Sequence, residues 1–389
     1  MGQASKAVSS DARRGPVTLF RAGLLLLPIL LLGPIANGPM QIAAASDPST
    51  SPPVLAYYYI WYDEGSWDRA KIDYPLLGRY SSDDREVMRR HVRWAMDAGI
   101  DGFIVSWKST EKLDRRLSLL RDVAAEENFK LAIIYQGLDF DRKPLAVNRI
   151  AADLDYFVQT YANDPVFDIF GAPLLIWSGT WEFTPQQVAS ITALHRAELL
   201  ILASEKNARG YERLARWVDG DAYYWSSVDP GTYPDYQGKL DRMSAAVHAH
   251  DGLWIAPAAV GFDGRGVGGE RVVDRAEGDN LRTQMNAATR SSADAIGLIS
   301  WNEFSENSHI EPSVNYGDEA LTTLADIRHA KPPDIGDLSG PLPEPATELD
   351  ATGVDLEKVI ALAILIAIIG LGVVAVVLRR RAELQVRRE

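Results

Sequence analysis

The segment Trp301-Asn302-Glu303-Phe304-Ser305-Glu306-Asn307-Ser308-His309-Ile310-Glu311-Pro312 sets three carboxylates directly after an apolar run, with Glu303 and Glu306 three residues apart. Two carboxyl groups beside aromatic rings are the equipment for cleaving a glycosidic bond. One gives a proton to the leaving oxygen, the other faces the anomeric centre or its neighbour, and sugar rings stack on the flanking faces. Trp301 and Phe304 supply such faces here. If the strand ran on, Glu303 and Glu306 would point to opposite sides, because side chains alternate with period two. A chain that leaves the strand near Asn302 and turns brings positions i and i+3 to one side, so both reach one cleft. Like charges in a partly dry site cannot both ionise freely, which raises one affinity for protons and provides the acid.

Positioning such a pair requires a rigid frame. Strand-like runs occur at 54–60, 101–107, 130–136, 173–177, 198–204, 221–226, 253–258 and 296–302. Helical patterns fill the gaps at 83–98, 111–127, 145–162, 184–195, 209–217, 235–250, 275–292 and 317–329. Eight strands, each followed by a helix, predict an α/β fold of the (β/α)8 TIM barrel type. A doubly wound open sheet is the alternative, but no Gly-rich phosphate fingerprint follows the first strand. In a barrel, functional side chains come from the C-terminal ends of strands. Those ends carry Tyr59, Trp61 and Tyr62, then Trp107, Tyr135, Trp177, Tyr224 and Trp225, and finally Trp301, Asn302 and Phe304, which together predict a sugar-binding rim. Glu311 is assigned either to structure or to substrate orientation. His91 and His309 read as hydrogen-bonded structural groups, since neither has a second ligand at metal spacing. The Gly-rich run Asp263 to Gly269 reads as a flexible rim loop.

Composition narrows the chemistry further. The absence of cysteine excludes disulfides, thiolate metal sites and thiol nucleophiles. No feature calls for a metal or organic cofactor, because carboxylates suffice for acid and base. Residues 1–46 carry Lys6, Arg13, Arg14 and Arg21 around and ahead of the apolar run Ala22 to Leu32, then Ala43-Ala44-Ala45-Ser46. That is the layout of a secretory signal cleaved near Ala45, with an uncleaved signal anchor as the alternative. Within 358–378, the unbroken apolar run Val359 to Leu378 is long enough, at about 1.5 Å per residue, to span about 30 Å of hydrocarbon. It predicts a single transmembrane helix. Arg379, Arg380 and Arg381 open the basic tail 379–389, so the positive-inside rule sets that tail in the cytoplasm and residues 47–330 outside the cell membrane. Residues 331–357, rich in Pro, Gly and acidic residues, read as a stalk. Taking the positive ends, +3 and +4, from the net charge of −13 leaves −20 on residues 47–357. Such an ectodomain is unsuited to nucleic acid and leaves a polysaccharide or oligosaccharide, together with the bilayer, as the expected partners.

The 301–312 segment resembles the N-E-W-H-E-G-T-Q-I-E-P signature of glycoside hydrolase family 99, the endo-α-mannosidases and endo-α-mannanases, which are related to family 71-type barrels. Tyr57-Tyr58-Tyr59-Ile60-Trp61-Tyr62 is similar to the family's opening Y-Y-P-W-Y. Tyr80-Ser81-Ser82-Asp83, Ala98-Gly99-Ile100-Asp101-Gly102 and Asp274-Arg275-Ala276-Glu277-Gly278 resemble later family segments, and the likeness runs from residue 54 to about 325. It implies a retaining, endo-acting hydrolase of an α-linked polysaccharide, with mannan as the first expectation. In that family one glutamate acts as base on the sugar's own 2-hydroxyl, which attacks C1 to give a 1,2-anhydro sugar, while a second is acid and then base. By motif position the first role falls on Glu303 and the second on Glu306. The segment departs from the signature at Phe304, Ser305 and Asn307, where the family has Trp, His and Gly, and at Ile60, where it has Pro. Two other readings are a non-hydrolytic carbohydrate-binding or polysaccharide-assembly module on the same barrel, and an α-1,3-glucanase.

Overall fold

The computed structural model describes residues 51–69 and 71–336. The signal segment, the 358–378 apolar run, the basic tail and all but the first residues of the stalk lie outside them. Among the described residues no helix is long and apolar enough to cross a membrane.

Eight parallel strands alternate with eight helices. The strands are β1 (Val54–Tyr59), β2 (Gly102–Trp107), β3 (Lys130–Gln136), β4 (Leu174–Ser178), β5 (Leu200–Leu202), β6 (Gly220–Ala222), β7 (Leu253–Ala259) and β8 (Ala295–Ile299). The helices are α1 (Arg85–Asp97), α2 (Glu111–Glu127), α3 (Val147–Tyr161), α4 (Pro185–His195), α5 (Ala208–Glu212), α6 (Tyr236–His248), α7 (Asp279–Arg290) and α8 (Glu319–Arg328). Hydrogen-bonded neighbours run in the order β5-β4-β3-β2-β1-β8-β7-β6. A parallel bridge between Ala203 and Asp221 joins the two outermost strands and closes the barrel.

Strand runs such as Leu131-Ala132-Ile133-Ile134-Tyr135 are apolar on both faces because both faces are covered, one by the barrel centre and one by helices. Period two then sorts every side chain. Leu55, Tyr57, Ile104, Ile134, Ile176 and Ile255 point inward and fill the barrel. Val54, Ala56, Phe103, Val105, Leu131 and Ile133 point outward and pack beneath the helices. Gly297 on β8 leaves room inside, since a Cβ there would lie 3.0 Å from the Tyr57 ring.

Helix starts follow local chemistry. Asp84 accepts from the amides of Glu86 and Val87 to open α1, and Thr184 with Gln187 forms a capping box at α4, where Pro185 occupies the first turn. On α1, Met88, His91, Val92 and Ala95 form the buried stripe.

Three expectations need correction. β5 and β6 are three residues each, because the chain leaves the barrel wall early on both sides of α5. β8 stops at Ile299 rather than running to 302, as the backbone amide of Ser300 turns to the carbonyl of Ser308. The Gly-rich run, expected as a flexible rim loop, is the tip of a small antiparallel hairpin: Phe262–Asp263 pairs with Val272–Val273, and Gly264–Val267 form a 3-10 turn between them.

Candidate active site

The turn after β8 is tied at several points. Ser300 Oγ accepts from the Glu303 amide at 2.9 Å, the Ser308 amide reaches the Glu303 carbonyl at 3.2 Å, and the Asn307 amide reaches the Phe304 carbonyl at 3.4 Å. The chain therefore turns within Glu303–Asn307. The hairpin after β7 braces the same turn, with the Asp263 amide donating to the Glu306 carbonyl at 2.8 Å.

Glu303 is buried at 6% exposure, and Glu306 is partly exposed. Burial, followed by the charge of Glu306, pushes the Glu303 carboxyl up to about 8. The Ser305 amide, which donates to Glu303 Oε1 at 3.0 Å, and the charge of Lys71 oppose that rise. Burial also raises Glu306, against the charge of Arg142. Near neutral pH the pair therefore holds one proton between two carboxyl groups, an arrangement able both to give and to take a proton.

Above the pair, Tyr59 at the end of β1 and Tyr224 after β6 join hydroxyl to hydroxyl at 2.9 Å, and the carboxylates act on both phenols. Trp61, 39% exposed, stacks on Tyr59 at 4.3 Å between centroids. Asn302 is fully buried and binds the Tyr59 backbone, while its own carbonyl accepts from the Tyr62 hydroxyl at 2.6 Å. Tyr62 and Phe304 are buried against Trp67 rather than facing solvent. They support the turn from behind.

Five expected rim aromatics lie elsewhere. Trp107, Tyr135 and Trp177 are fully buried on the outward faces of β2, β3 and β4, where Trp107 packs on Phe157, Tyr135 donates to Asp153 at 2.9 Å and Trp177 packs on Phe183. Trp225 stacks between Tyr223 and Tyr236 on the helix side, with Lys239 Nζ 4.4 Å from its ring centroid. Trp301 is buried against His91 and Phe103. Glu311 is also no rim group. Its buried carboxylate accepts from the Tyr80 hydroxyl at 2.8 Å and meets His91 Nε2 at 3.0 Å, contacts that fit the first of its two expected roles, structure. The inward residues beside the buried aromatics are small and polar: Ser106, Gln136 and Ser178, with Gln136 Nε2 donating to Ser106 Oγ at 3.1 Å. Alternation counted from Tyr57 and Tyr59 would have found them.

His309 underlies the turn, stacked on Phe304 at 3.9 Å with Nε2 3.1 Å from Asp73 Oδ2. Burial, aided by the Arg275 guanidinium, lowers it to about 4, although the low value of Asp73 would suit an imidazolium. The unpartnered Nδ1 and the positive charge of nearby Arg275 favour a neutral ring, whose Nε2 faces both Asp73 Oδ2 and the Arg275 guanidinium.

The sequence pattern of glycosyl hydrolase family 99 matches residues 63–332. The glycoprotein endo-α-1,2-mannosidase of Rattus norvegicus is 22% identical over 288 residues, covering 67% of this chain and 60% of the relative. Its Mus musculus counterpart is 22% identical over 290 residues, with the same shares. The chain thus spans about 60% of the length of these relatives. Among solved structures, the GH99 endo-α-mannosidase from Bacteroides thetaiotaomicron matches with a TM-score of 0.62 at 21% identity, over 71% of this chain and 96% of that one. A protein described as glycoside hydrolase-like matches with a TM-score of 0.57 at 15% identity, over 74% of this chain and 96% of the other. These two likenesses concern the fold alone. Because the family pattern covers most of the barrel and the turn that carries both glutamates, the chain belongs to glycosyl hydrolase family 99.

Proposed function

We propose that this protein is a glycoside hydrolase that cuts an α-linked, mannose-type glycan internally and with retention of configuration. The observation that carries the reading is the buried Glu303 coupled to the more accessible Glu306 on one tied turn, beneath the Tyr59 and Tyr224 hydroxyls. Support for the sugar comes from the relatives, which are named as endo-α-mannosidases.

In this reading Glu303 takes the proton of the 2-hydroxyl as that oxygen bonds to C1. Glu306 protonates the leaving glycosidic oxygen, and a 1,2-anhydro sugar remains. Glu306 then takes a proton from water, whose oxygen opens the three-membered ring at C1, and the proton on Glu303 returns to O2. Each carboxyl ends in its starting form.

We further propose that the barrel is exported and tethered to the cell membrane by the 358–378 run, with the basic tail in the cytoplasm. The apolar length of that run and the arginines after it support this placement.

The test is a hydrolysis screen of the detergent-solubilised full-length chain on α-mannans and α-glucans, with Glu303→Gln and Glu306→Gln alongside. Mannan cleavage lost in both variants supports the reading. Glycan binding without cleavage, unchanged in both, would replace it with a binding or assembly module, and cleavage of α-1,3-glucan alone would replace the sugar.

A further inference from the structure

We propose that Lys71 is a positioning residue that, acting alongside Ser305, favours the ionised form of Glu303 and so draws the proton shared by the two carboxyl groups toward Glu306. The proposal rests on the hydrolase reading above, in which Glu303 receives a proton from the substrate.

Lys71 lies between β1 and α1 and is only 5% exposed. Its ammonium sits 5.7 Å from the centroid of the Trp67 ring and donates to Ser305 Oγ at 3.4 Å. The amide of the same Ser305 donates to Glu303 Oε1 at 3.0 Å. One residue therefore touches both the cation and the carboxylate. A buried ammonium is costly unless an opposite charge answers it. Among the described residues no carboxylate lies within 4.0 Å of the Lys71 Nζ, and Glu303 is the acid whose charge acts on it.

The groups facing Glu303 come from three places. The β8 turn brings Glu306, β1 and its following segment bring Tyr59, Tyr62 and Lys71, and the end of β6 brings Tyr224. The three phenols stay protonated, because burial raises each of them well above the ordinary tyrosine value. Glu306 disfavours an ionised Glu303. Arg142 acts on Glu306, and so favours the unproductive placement of the charge. Lys71 is the cation of this set, and Arg69, the next charge along the chain, disfavours its ammonium form. Without Lys71 the deeper, drier carboxyl would hold the proton more tightly still, and the hydroxyl to be activated would meet the basic form less often.

The experiment titrates the carboxyl bands of the full-length chain by infrared spectroscopy, with Glu303→Gln identifying the Glu303 band, and measures pH profiles on the best glycan found. In Lys71→Met the Glu303 band should titrate roughly one pH unit or more higher. In the same variant kcat should fall roughly tenfold or more near neutral pH with KM little changed, and Lys71→Arg should restore both. A lower kcat with an unmoved band would reveal a purely structural lysine and overturn the proposal. If Lys71→Met fails to fold, Lys71→Gln decides, since it keeps a polar partner for Ser305 while removing the charge and should still move the band upward, and an unmoved band rejects the idea. A band that shifts in a chain hydrolysing no glycan supports the charge relation and overturns the hydrolase reading instead.

Discussion

Asn302 grips the backbone of Tyr59 with both ends of its amide: Oδ1 accepts from the Tyr59 amide at 2.8 Å and Nδ2 donates to the Tyr59 carbonyl at 3.0 Å. A side chain thus does the work of a missing ladder rung where β8 has already ended, and it fixes the distance between the aromatic rim and the carboxylate turn. Asn302→Ala leaves two buried backbone groups unpaired. We expect a loss of about 2–3 kcal/mol in stability, read by denaturant unfolding, and a fall in kcat larger than any rise in KM.

The coupled carboxyl pair sets the pH profile. Its active form carries a single proton, so kcat/KM should fall on the alkaline side as the pair loses that proton near pH 8. On the acid side it should fall as a second proton binds, at a pH above the ordinary glutamate value, because burial raises both groups. A profile flat through pH 8 would contradict the coupling.

Trp177 should behave as a packing residue. Its ring is fully buried against Phe183, outside the barrel wall. Trp177→Ala is expected to cost about 3–5 kcal/mol in stability. Saccharide affinity of the fraction that remains folded, measured by calorimetry well below the melting temperature, should be unchanged. Tyr59→Phe, which removes only the hydroxyl paired with Tyr224, should do the reverse: little change in melting and a clear loss of turnover.

His309 links folding to acid. Its folded value of about 4 lies below the ordinary 6.5, so the unfolded chain binds the proton more readily. This contribution is complete above about pH 6.5 and is lost as pH falls through the window down to about 4, amounting to about 3 kcal/mol. Urea midpoints measured across that window should fall in the wild type, and more shallowly in His309→Gln.

The barrel is legible in the sequence because its strands are apolar runs bounded by turn residues and its helices carry buried stripes such as Met88, His91, Val92 and Ala95. The carboxylate turn is legible for a similar reason, since polar residues interrupt an apolar strand. What the rim contains is harder to read. Trp107, Tyr135 and Trp177 share the strand-end position of Tyr59 but have the opposite parity, and parity is fixed only once one inward residue is known. Lys71 carries no local signal, because its partner lies more than two hundred residues away in the chain, after the neighbouring strand β8. The departures at Phe304 and Ser305 likewise gain meaning only in three dimensions: Phe304 seals the turn against Trp67 and His309, and Ser305 stands between Lys71 and Glu303.

The short strands β5 and β6 meet through the Ala203–Asp221 bridge, and the buried Asp221 carboxyl group adds one more tie by accepting from the Glu205 amide at 2.8 Å. The other seams of the wall are stitched by ladders of three pairs, at β1–β8, β4–β5 and β6–β7, or of four to six. The wall is thus narrowest at its closing seam, where the amides of Ala203 and Ala222 carry the one bridge. Transient opening should begin there, so solvent deuterium should reach the amides of Ala203 and Ala222 before those of β1 and β2, and a protease able to exploit that gap would enter between β5 and β6, next to the strand that leads to Tyr224.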